Sequence, residues 1–447
     1  YFNLREFERA VETFQSVVRE IDKSKAQQLE FKEQALNDLV PAYAELERGW
    51  PAAKDYFTKV EGEKKMWKRL ERLASIYVAN DKQDLAIELH GHFIQEKPTD
   101  ARCIDWWETI VDIYMSLEKF EDIEAAIRQF LAFTDERTSP WVSSNKNSAE
   151  AVDKARRLGE TYLIYMSNHF HQSAQKIEDE TKSLDAARPY YVKAANDYAE
   201  FVRRYPNSKK AYIVNFYYAE ILYMQLKDYA KARTQYKRVI ELDQQGEYLE
   251  DAALGVIYSV EELLKQTHAR YDYDKKAWVD DPTAPALVVV ETSDGGSRIK
   301  ITKKSDEETV TEEQIKEAQV PKKRQDLHPL ERDFVDSADK YVKLMEDLQK
   351  AKGPEWMKKK KRGHDVPGIM YVAAATYYER GQYPESVERL ERVYRYDEAR
   401  VESEIAVKTL VDIYARQKNW PKIEEWARAM LGRKKLQLFK VKDLRKY

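Results

Sequence analysis

The sequence predicts an all-α fold in which helical hairpins stack on one another, with one small β-hairpin insertion. The main observation is a spacing. Six residues after a tyrosine comes an aromatic residue, and nine residues after the same tyrosine comes a small or apolar one, as in Tyr223, Tyr229 and Ala232. The tyrosines also recur, with 34 residues from Tyr43 to Tyr77. Glycine and proline are few, 13 and 14 among 447 residues, which suits long helical stretches. A fixed period of this length is typical of proteins built from repeated two-helix units.

The spacing has a physical explanation in the packing of two helices. A large side chain late in the first helix fills the gap beside a small residue early in the second, where the two backbones approach closely. Apolar residues four and seven positions later, such as Tyr236 and Val239 after Ala232, continue one helical stripe. Pro98 and Pro206 then end second helices. The same spacing fits five further sets of residues, one of which has Gln83 in place of the aromatic: Tyr1, Phe7 and Ala10; Tyr77, Gln83 and Ala86; Tyr114, Phe120 and Ile123; Tyr377, Tyr383 and Ser386; and Tyr414, Trp420 and Ile423.

Over most of its length the chain resembles the tetratricopeptide repeat (TPR) family, whose unit is 34 residues long. The resemblance implies a right-handed TPR superhelix of about eight or nine helical hairpins. Leu-Gly pairs before Tyr162 and Tyr258 match the family's close packing between first helices. Because the spacing already fits Tyr1, we expect the first helix of that unit to lie upstream, in a longer protein.

Breaks in the period predict three regions. Residues 1–267 form TPR repeats with one lengthened helix near 148–182, and residues 268–328 form an insertion with a β-hairpin and a charged linker. Residues 329–447 form C-terminal repeats with a basic tail. The strands of the hairpin are predicted at Ala286 to Glu291 and Arg298 to Thr302. An amphipathic helix from Pro329 to Lys350 is expected to complete the interrupted helix pair with its apolar face, which consists of Ala338, Val342 and Met345.

Composition and motifs give no support to catalysis. Lys plus Arg (76) nearly balances Asp plus Glu (79), and the single Cys103 excludes an internal disulfide framework. No phosphate-binding loop, nucleophile elbow or zinc signature occurs. The His90/His92 and His169/His171 pairs are two residues apart, so on a helix their side chains point to different faces. We therefore predict a non-enzymatic protein with no catalytic, cofactor-binding or metal-binding residues.

The strongest electrostatic feature is the run Lys358, Lys359, Lys360, Lys361 and Arg362. Such a run can contact anionic lipid, nucleic acid or an acidic partner, and it can equally be a solvated loop. It is the candidate basic contact of the chain.

In the TPR family, side chains two residues before, one after and six before the repeat tyrosine point to the concave face. The resemblance therefore implies a groove that is acidic at one end and apolar or aromatic at the other. Such a surface suits a peptide with a basic portion and apolar anchors. Packing between repeats is the alternative role for the same positions. The candidate partner-binding residues are Glu71, Glu108, Asp112, Tyr217, Ile221, Met224, Tyr371 and Tyr378.

A finer resemblance involves the segment from Phe201 to Ser208, FVRRYPNS, followed by Asp228, Tyr229 and Ala232. This sequence motif is similar to that of bacterial envelope TPR proteins of the BamD and CpoB (YbgF) type. The resemblance implies a periplasmic or outer-membrane-associated scaffold whose partners are proteins or peptides of a large envelope complex. Nucleic acid binding and direct membrane insertion are not expected. The alternative is a cytoplasmic adaptor whose basic segment contacts nucleic acid or anionic membrane.

Overall fold

The computed structural model describes residues 1–24, 29–287, 321–353, 366–396 and 400–433. The chain divides into two compact units, Tyr1–Met166 and Ser167–Tyr447. No helix within those described ranges is both long and apolar enough to span a membrane. The predicted strands from residue 288 onward and the basic run 358–362 lie outside the described residues.

The first unit consists of helices that pack in sequence-adjacent pairs, such as α4 with α5 and α6 with α7. A short 3₁₀ turn, Phe2–Leu4, precedes them. The helices are α1 (Phe7–Ser24), α2 (Leu29–Ala44), α3 (Trp50–Glu61), α4 (Glu63–Ala79), α5 (Gln83–Glu96), α6 (Cys103–Ser116), α7 (Phe120–Phe133), α8 (Pro140–Ser144) and α9 (Ala149–Thr181), whose last residues belong to the second unit.

The second unit continues the same arrangement and contains the β-hairpin. Its helices are α10 (Leu184–Arg204), α11 (Ala211–Glu220, continued by a π-helical segment, Ile221–Leu226), α12 (Tyr229–Leu242), α13 (Leu249–Lys265), α14 (Pro329–Lys352), α15 (Val366–Glu379), α16 (Tyr383–Tyr396), α17 (Val401–Arg416) and α18 (Trp420–Leu431). Two antiparallel strands, β1 (Ala269–Asp272) and β2 (Ala277–Asp280), pair Ala269 with Asp280.

The all-α prediction with a small β-hairpin is confirmed, and so is the packing of large residues beside small ones. Ala86, Ala194, Ala232 and Ser386 are all completely buried. The hydroxyl of Ser386 donates a hydrogen bond to the carbonyl of Ala374 at 2.9 Å, which lets a polar residue occupy a position that alanine fills elsewhere. From Tyr43 to Tyr414, the repeat tyrosines are buried or half-buried.

Gly255 shows how closely the helices approach. A Cβ atom at this position would lie 2.6 Å from Cε2 and Cζ of Tyr236. The tyrosine cannot move away easily, because its ring is 2% exposed and its hydroxyl donates to Glu220 Oε1 at 2.5 Å. The glycine therefore permits close contact between α13 and α12, which is the second helix of the preceding repeat. The Leu-Gly pattern had predicted close contact between the first helices of two repeats.

The lengthened helix is confirmed, but its successor begins earlier than predicted. Helix α9 spans Ala149–Thr181, close to the expected 148–182. Pro189 was expected to open the next helix, and this boundary is wrong. The helix begins at Leu184 because the hydroxyl of Ser183 accepts a hydrogen bond from the Ala186 amide and caps it. Pro189 then lies inside α10, near its amino-terminal end.

The interrupted helix pair is completed by α14, as predicted. Ala338, Val342 and Met345 are at most 2% exposed and belong to the same apolar core as residues of α13. The observed β-hairpin lies between these two helices, at 269–280, where the sequence did not predict one. It follows α13 almost directly, with only three residues between them. The strands predicted at 286–291 and 298–302 lie almost entirely outside the described residues.

The hairpin packs against the residues that lead into α14. Trp278 Nε1 donates to the carbonyl of Asp326 at 2.8 Å, and the guanidinium of Arg380 lies 4.6 Å from the centre of the Trp278 ring. Arg380 also pairs with the buried carboxylate of Glu331 at 2.5 Å. The hairpin at 269–280 is therefore anchored to the body of the second unit.

The last turns of α10 contain a carboxylate that two arginines share. Arg203 donates two hydrogen bonds to Glu200, at 2.8 and 2.5 Å, and Arg204 donates one at 2.5 Å. The bond from Arg203, opposed in part by burial and supported by Arg204, lowers the pKa of Glu200 to about 2. The charged carboxylate is therefore stabilised in the folded state.

We expect Gly255→Ala to destabilise the second unit by roughly 1–3 kcal/mol, because the added methyl group overlaps the Tyr236 ring. Gly91→Ala is the matched control. Gly91 is also inside a helix, but its Cβ would meet no atom within 4 Å. That control should gain roughly 0.5–1 kcal/mol from helix propensity. Thermal unfolding followed by circular dichroism measures both, and equal effects of the two substitutions would contradict the close approach.

We expect Glu200→Gln to lower stability at neutral pH by about 1 kcal/mol, after allowance for solvent screening of a partly exposed group. The folded-state pKa lies below the ordinary value of 4.5, so the stabilisation is present above pH 4.5. It is lost as the pH falls through about 2. Chemical denaturation at a series of pH values should show the two proteins converging across this window. A difference that stays constant down to the lowest pH would rule out the carboxylate charge as its cause.

Candidate protein-binding site

The three acidic positions predicted for the concave face lie in the first unit, where nearby cations satisfy two of them. Arg102 Nη1 lies 2.5 Å from Glu71 Oε1, and Lys154 Nζ lies 2.5 Å from Glu108 Oε2. Partial burial and the charge of Glu108 raise the pKa of Asp112 above its ordinary value, while Lys154 opposes the shift. The acidic surface is thus largely neutralised within the chain, which weakens its attraction for a basic peptide.

Sequence reasoning missed these two cations for a physical reason. Lys154 belongs to the lengthened helix α9, and it also contacts Asp105 at 2.5 Å. Arg102 precedes α6 and its ion pair with Glu71 spans 31 residues. Neither contact follows the repeat spacing. Ion pairs between residues so far apart in sequence become visible only in the folded chain.

Two of the predicted contact residues are core residues in the structure. Ile221 is 1% exposed and Tyr371 is 8% exposed, so neither offers a surface to a partner. Ile221 begins the π-helical segment that ends α11, and its side chain packs inward together with Leu222. Tyr371 is enclosed in an almost entirely buried helix, α15, and its hydroxyl lies 3.2 Å from Thr409 Oγ1.

Tyr378 is half-buried and already engaged by its own chain. Its hydroxyl donates to the carboxylate of Asp412, which also accepts from Arg416 Nε at 2.7 Å. Lys322 Nζ lies 4.4 Å from the centre of the Tyr378 ring. Burial and the Asp412 carboxylate raise the pKa of Tyr378. This tyrosine links α15 to α17 and to the segment before α14, which is a structural role.

The remaining two positions, Tyr217 and Met224, form an accessible apolar surface. Met224 is 51% exposed, Tyr217 is half-buried, and Ile213 is 36% exposed. Ile213 precedes Tyr217 by four residues and Met224 follows it by seven, so all three share the open face of α11 and its π-helical continuation. We call these three residues the α11 stripe. Ile213 was not among the sequence-predicted residues, although its helical spacing from Tyr217 could have identified it.

Aromatic side chains support the α11 stripe from both sides. The ring of His171, in α9, lies 6.5 Å from the Tyr217 ring, and the ring of Tyr248, before α13, lies 6.2 Å from it. Tyr248 in turn stacks on Phe216 at 4.2 Å. Burial lowers the pKa of His171, so its ring is neutral at physiological pH. The rings that support the stripe are therefore uncharged.

Closely spaced histidines and aspartates contact groups of their own chain. His90 Nδ1 lies 2.7 Å from the carbonyl of Ala86, whereas the His92 ring lies 4.7 Å from that of Trp50. Asp272 accepts hydrogen bonds from the amides of Asp274 and Lys275 and so shapes the turn between β1 and β2. Within the part of the chain that the structure describes, no group of three or more His, Cys, Asp or Glu side chains is arranged to hold a metal ion.

Comparison with known proteins supports the repeat assignment. No curated protein matches the chain. A solved structure titled "Structure of Naa15/Naa10 bound to HypK-THB" aligns at 12% identity over 94% of this chain and 62% of that chain, with a TM-score of 0.19. The present chain thus spans less than two thirds of that protein. Residues 181–247, which include α10, α11 and α12, match the family model described as Tetratricopeptide repeat. This match shows tetratricopeptide repeat sequence at residues 181–247. Helix pairs with a buried small residue also occur in the described residues outside that segment, as at Ala86 and Ser386.

Proposed function

We propose that this chain is a non-enzymatic scaffold that binds a segment of a partner protein through the α11 stripe. The observation that carries the proposal is the open apolar face formed by Ile213, Tyr217 and Met224. Repeat proteins of this kind present first helices to their partners, and the stripe lies on such a helix.

The chemistry of the stripe indicates the kind of segment that it would take. Tyrosine and methionine offer large contact areas, and methionine adapts its shape to different partners. The supporting rings of His171 and Tyr248 are aromatic and carry no charge. A partner segment would therefore bring apolar anchors at helical or alternating spacing, and no strong charge at the anchor positions. A basic portion of the ligand is not part of the proposal, because Arg102 and Lys154 already pair with Glu71 and Glu108.

The finer proposal places this scaffold in a bacterial envelope complex, at the periplasm or the periphery of the outer membrane. It is supported by the sequence motif from Phe201 to Ser208, which resembles envelope TPR proteins of the BamD and CpoB type. The residues of the motif have clear structural roles. Phe201 is 1% exposed in α10, and Pro206 follows the end of that helix at Arg204.

We expect the double substitution Tyr217→Asp with Met224→Asp to weaken partner binding at least tenfold, since it places two charges on the apolar contact surface. Peptides would first be selected against the unmodified chain from a random phage-displayed library. Their affinities for the variants would then be measured by fluorescence anisotropy. We also expect the selected peptides to share apolar anchors.

Val192→Asp is the matched control for this experiment. Val192 is 40% exposed on α10, comparable with Ile213, but it does not belong to the α11 stripe. It should leave the affinities unchanged. If the double variant binds the selected peptides as tightly as the unmodified chain, the α11 stripe is not the binding surface.

The location in the cell is tested separately, by fractionating cells of the source organism that produce the full-length protein. We expect it in the periplasmic or outer-membrane fraction, beside marker proteins of those compartments. Recovery with cytosolic markers would contradict the envelope assignment and favour the adaptor alternative, without affecting the role of the stripe.

A further inference from the structure

A cleft of about 400 Å³ lies between the end of α10 and the face of α12, and it is separate from the α11 stripe. Val202 and Pro206 form one wall. Residues of α12 form the other, and Asn215 of α11, which is 2% exposed, also lines the cleft. The α12 residues are Arg233, Thr234, Gln235, Lys237, Arg238 and Glu241.

The cleft carries more cations than anions among the residues that the structure describes. Arg233 and Lys237 share a single carboxylate, Asp333 of α14, at 2.9 and 2.6 Å. Arg238 pairs with Glu241 of its own helix at 3.1 Å, and these side chains are 39% and 63% exposed. Three cations thus face two carboxylates. Lys209 and Lys210, which closely follow Pro206 in the sequence, are exposed and add two further positive charges to this segment.

Arg238 is the cation best placed to receive a ligand. Its pairing with Glu241 is a solvent-exposed contact within one helix, which contributes little to stability. A second contact, from Arg238 Nη2 to the carbonyl of Pro206, is 3.4 Å long and therefore weak. The planar guanidinium can exchange both contacts for a two-point contact with a carboxylate. The apolar wall of Val202 and Pro206 would then cover the methylene groups of a Glu side chain.

We propose that this cleft binds an acidic, glutamate- or aspartate-rich segment of a protein partner. Arg238 makes the central contact, Lys237 adds a second positive charge, and Glu241 competes with the ligand for Arg238. The site is distinct from the proposed apolar contact on α11, so one repeat offers two surfaces of different chemistry.

The experiment uses the 447-residue chain and a fluorescein-labelled hexaglutamate peptide, followed by fluorescence anisotropy at low and moderate salt. The unmodified chain should bind it, and the affinity should fall as salt rises. Arg238→Gln should weaken binding about tenfold, the effect of losing one charge-assisted contact. Glu241→Gln should strengthen binding about threefold, because it removes the competing carboxylate. The gain is informative since a misfolded variant would not produce it.

Two controls separate this site from general electrostatics and from the α11 stripe. Lys408→Gln removes one exposed positive charge from α17 and should leave the affinity unchanged. Tyr217→Asp should also leave it unchanged. Failure of the unmodified chain to bind hexaglutamate, or an equal loss with Lys408→Gln, would overturn the proposal. So would Arg238-dependent binding to phosphatidylserine vesicles without binding to the peptide, since this would identify a membrane surface instead.

Discussion

The close approach of two helix backbones, with a large side chain beside a small one, is the constraint on which the rest of this structure depends. Ala232 is completely buried in α12, beyond Tyr229, and Gly255 leaves no room for even a methyl group beside Tyr236. Each such contact is short in sequence, so every hairpin can form largely from local interactions. The inner faces of the helices are thereby committed to packing, and only their outer faces remain to differ from one repeat to the next.

The insertion between α13 and α14 shows how much interruption this packing tolerates. The closure entropy of a loop grows only slowly with its length, so a long connection costs the helix pair little once the pair is made. Polar contacts fix the ends of the connection. Arg380 pairs with buried Glu331 and covers Trp278, so loss of either charge would leave the other without compensation. Such an arrangement adds specificity of position more than stability, and it holds the described part of the insertion in one place.

The sequence predicted what the repeat spacing controls and little of what lies outside it. The buried small residues, the lengthened α9 and the apolar face of α14 all follow from helical periodicity. Burial of Ile221 and Tyr371 could not be predicted in this way, because it depends on a π-helical turn and on the surroundings of α15. The start of α10 was predicted at Pro189, which is wrong because the side-chain cap at Ser183 starts the helix at Leu184 and the helix tolerates a proline near its amino-terminal end.

The same limit explains the outcome for the candidate site. Family positions identify which side chains point away from a hairpin, but not which long cations from a neighbouring helix fold over them. Glu71 and Glu108 form ion pairs with Arg102 and Lys154 and are therefore not free to bind a partner. Tyr217 and Met224 remain accessible, since an apolar face does not attract a charged side chain. In a chain so rich in both charges, exposed acids tend to be paired internally, so an apolar stripe is the rarer and more informative surface. An excess of cations, as in the cleft on α12, is informative for the same reason. The proposed scaffold thus has two distinct contacts within a single repeat.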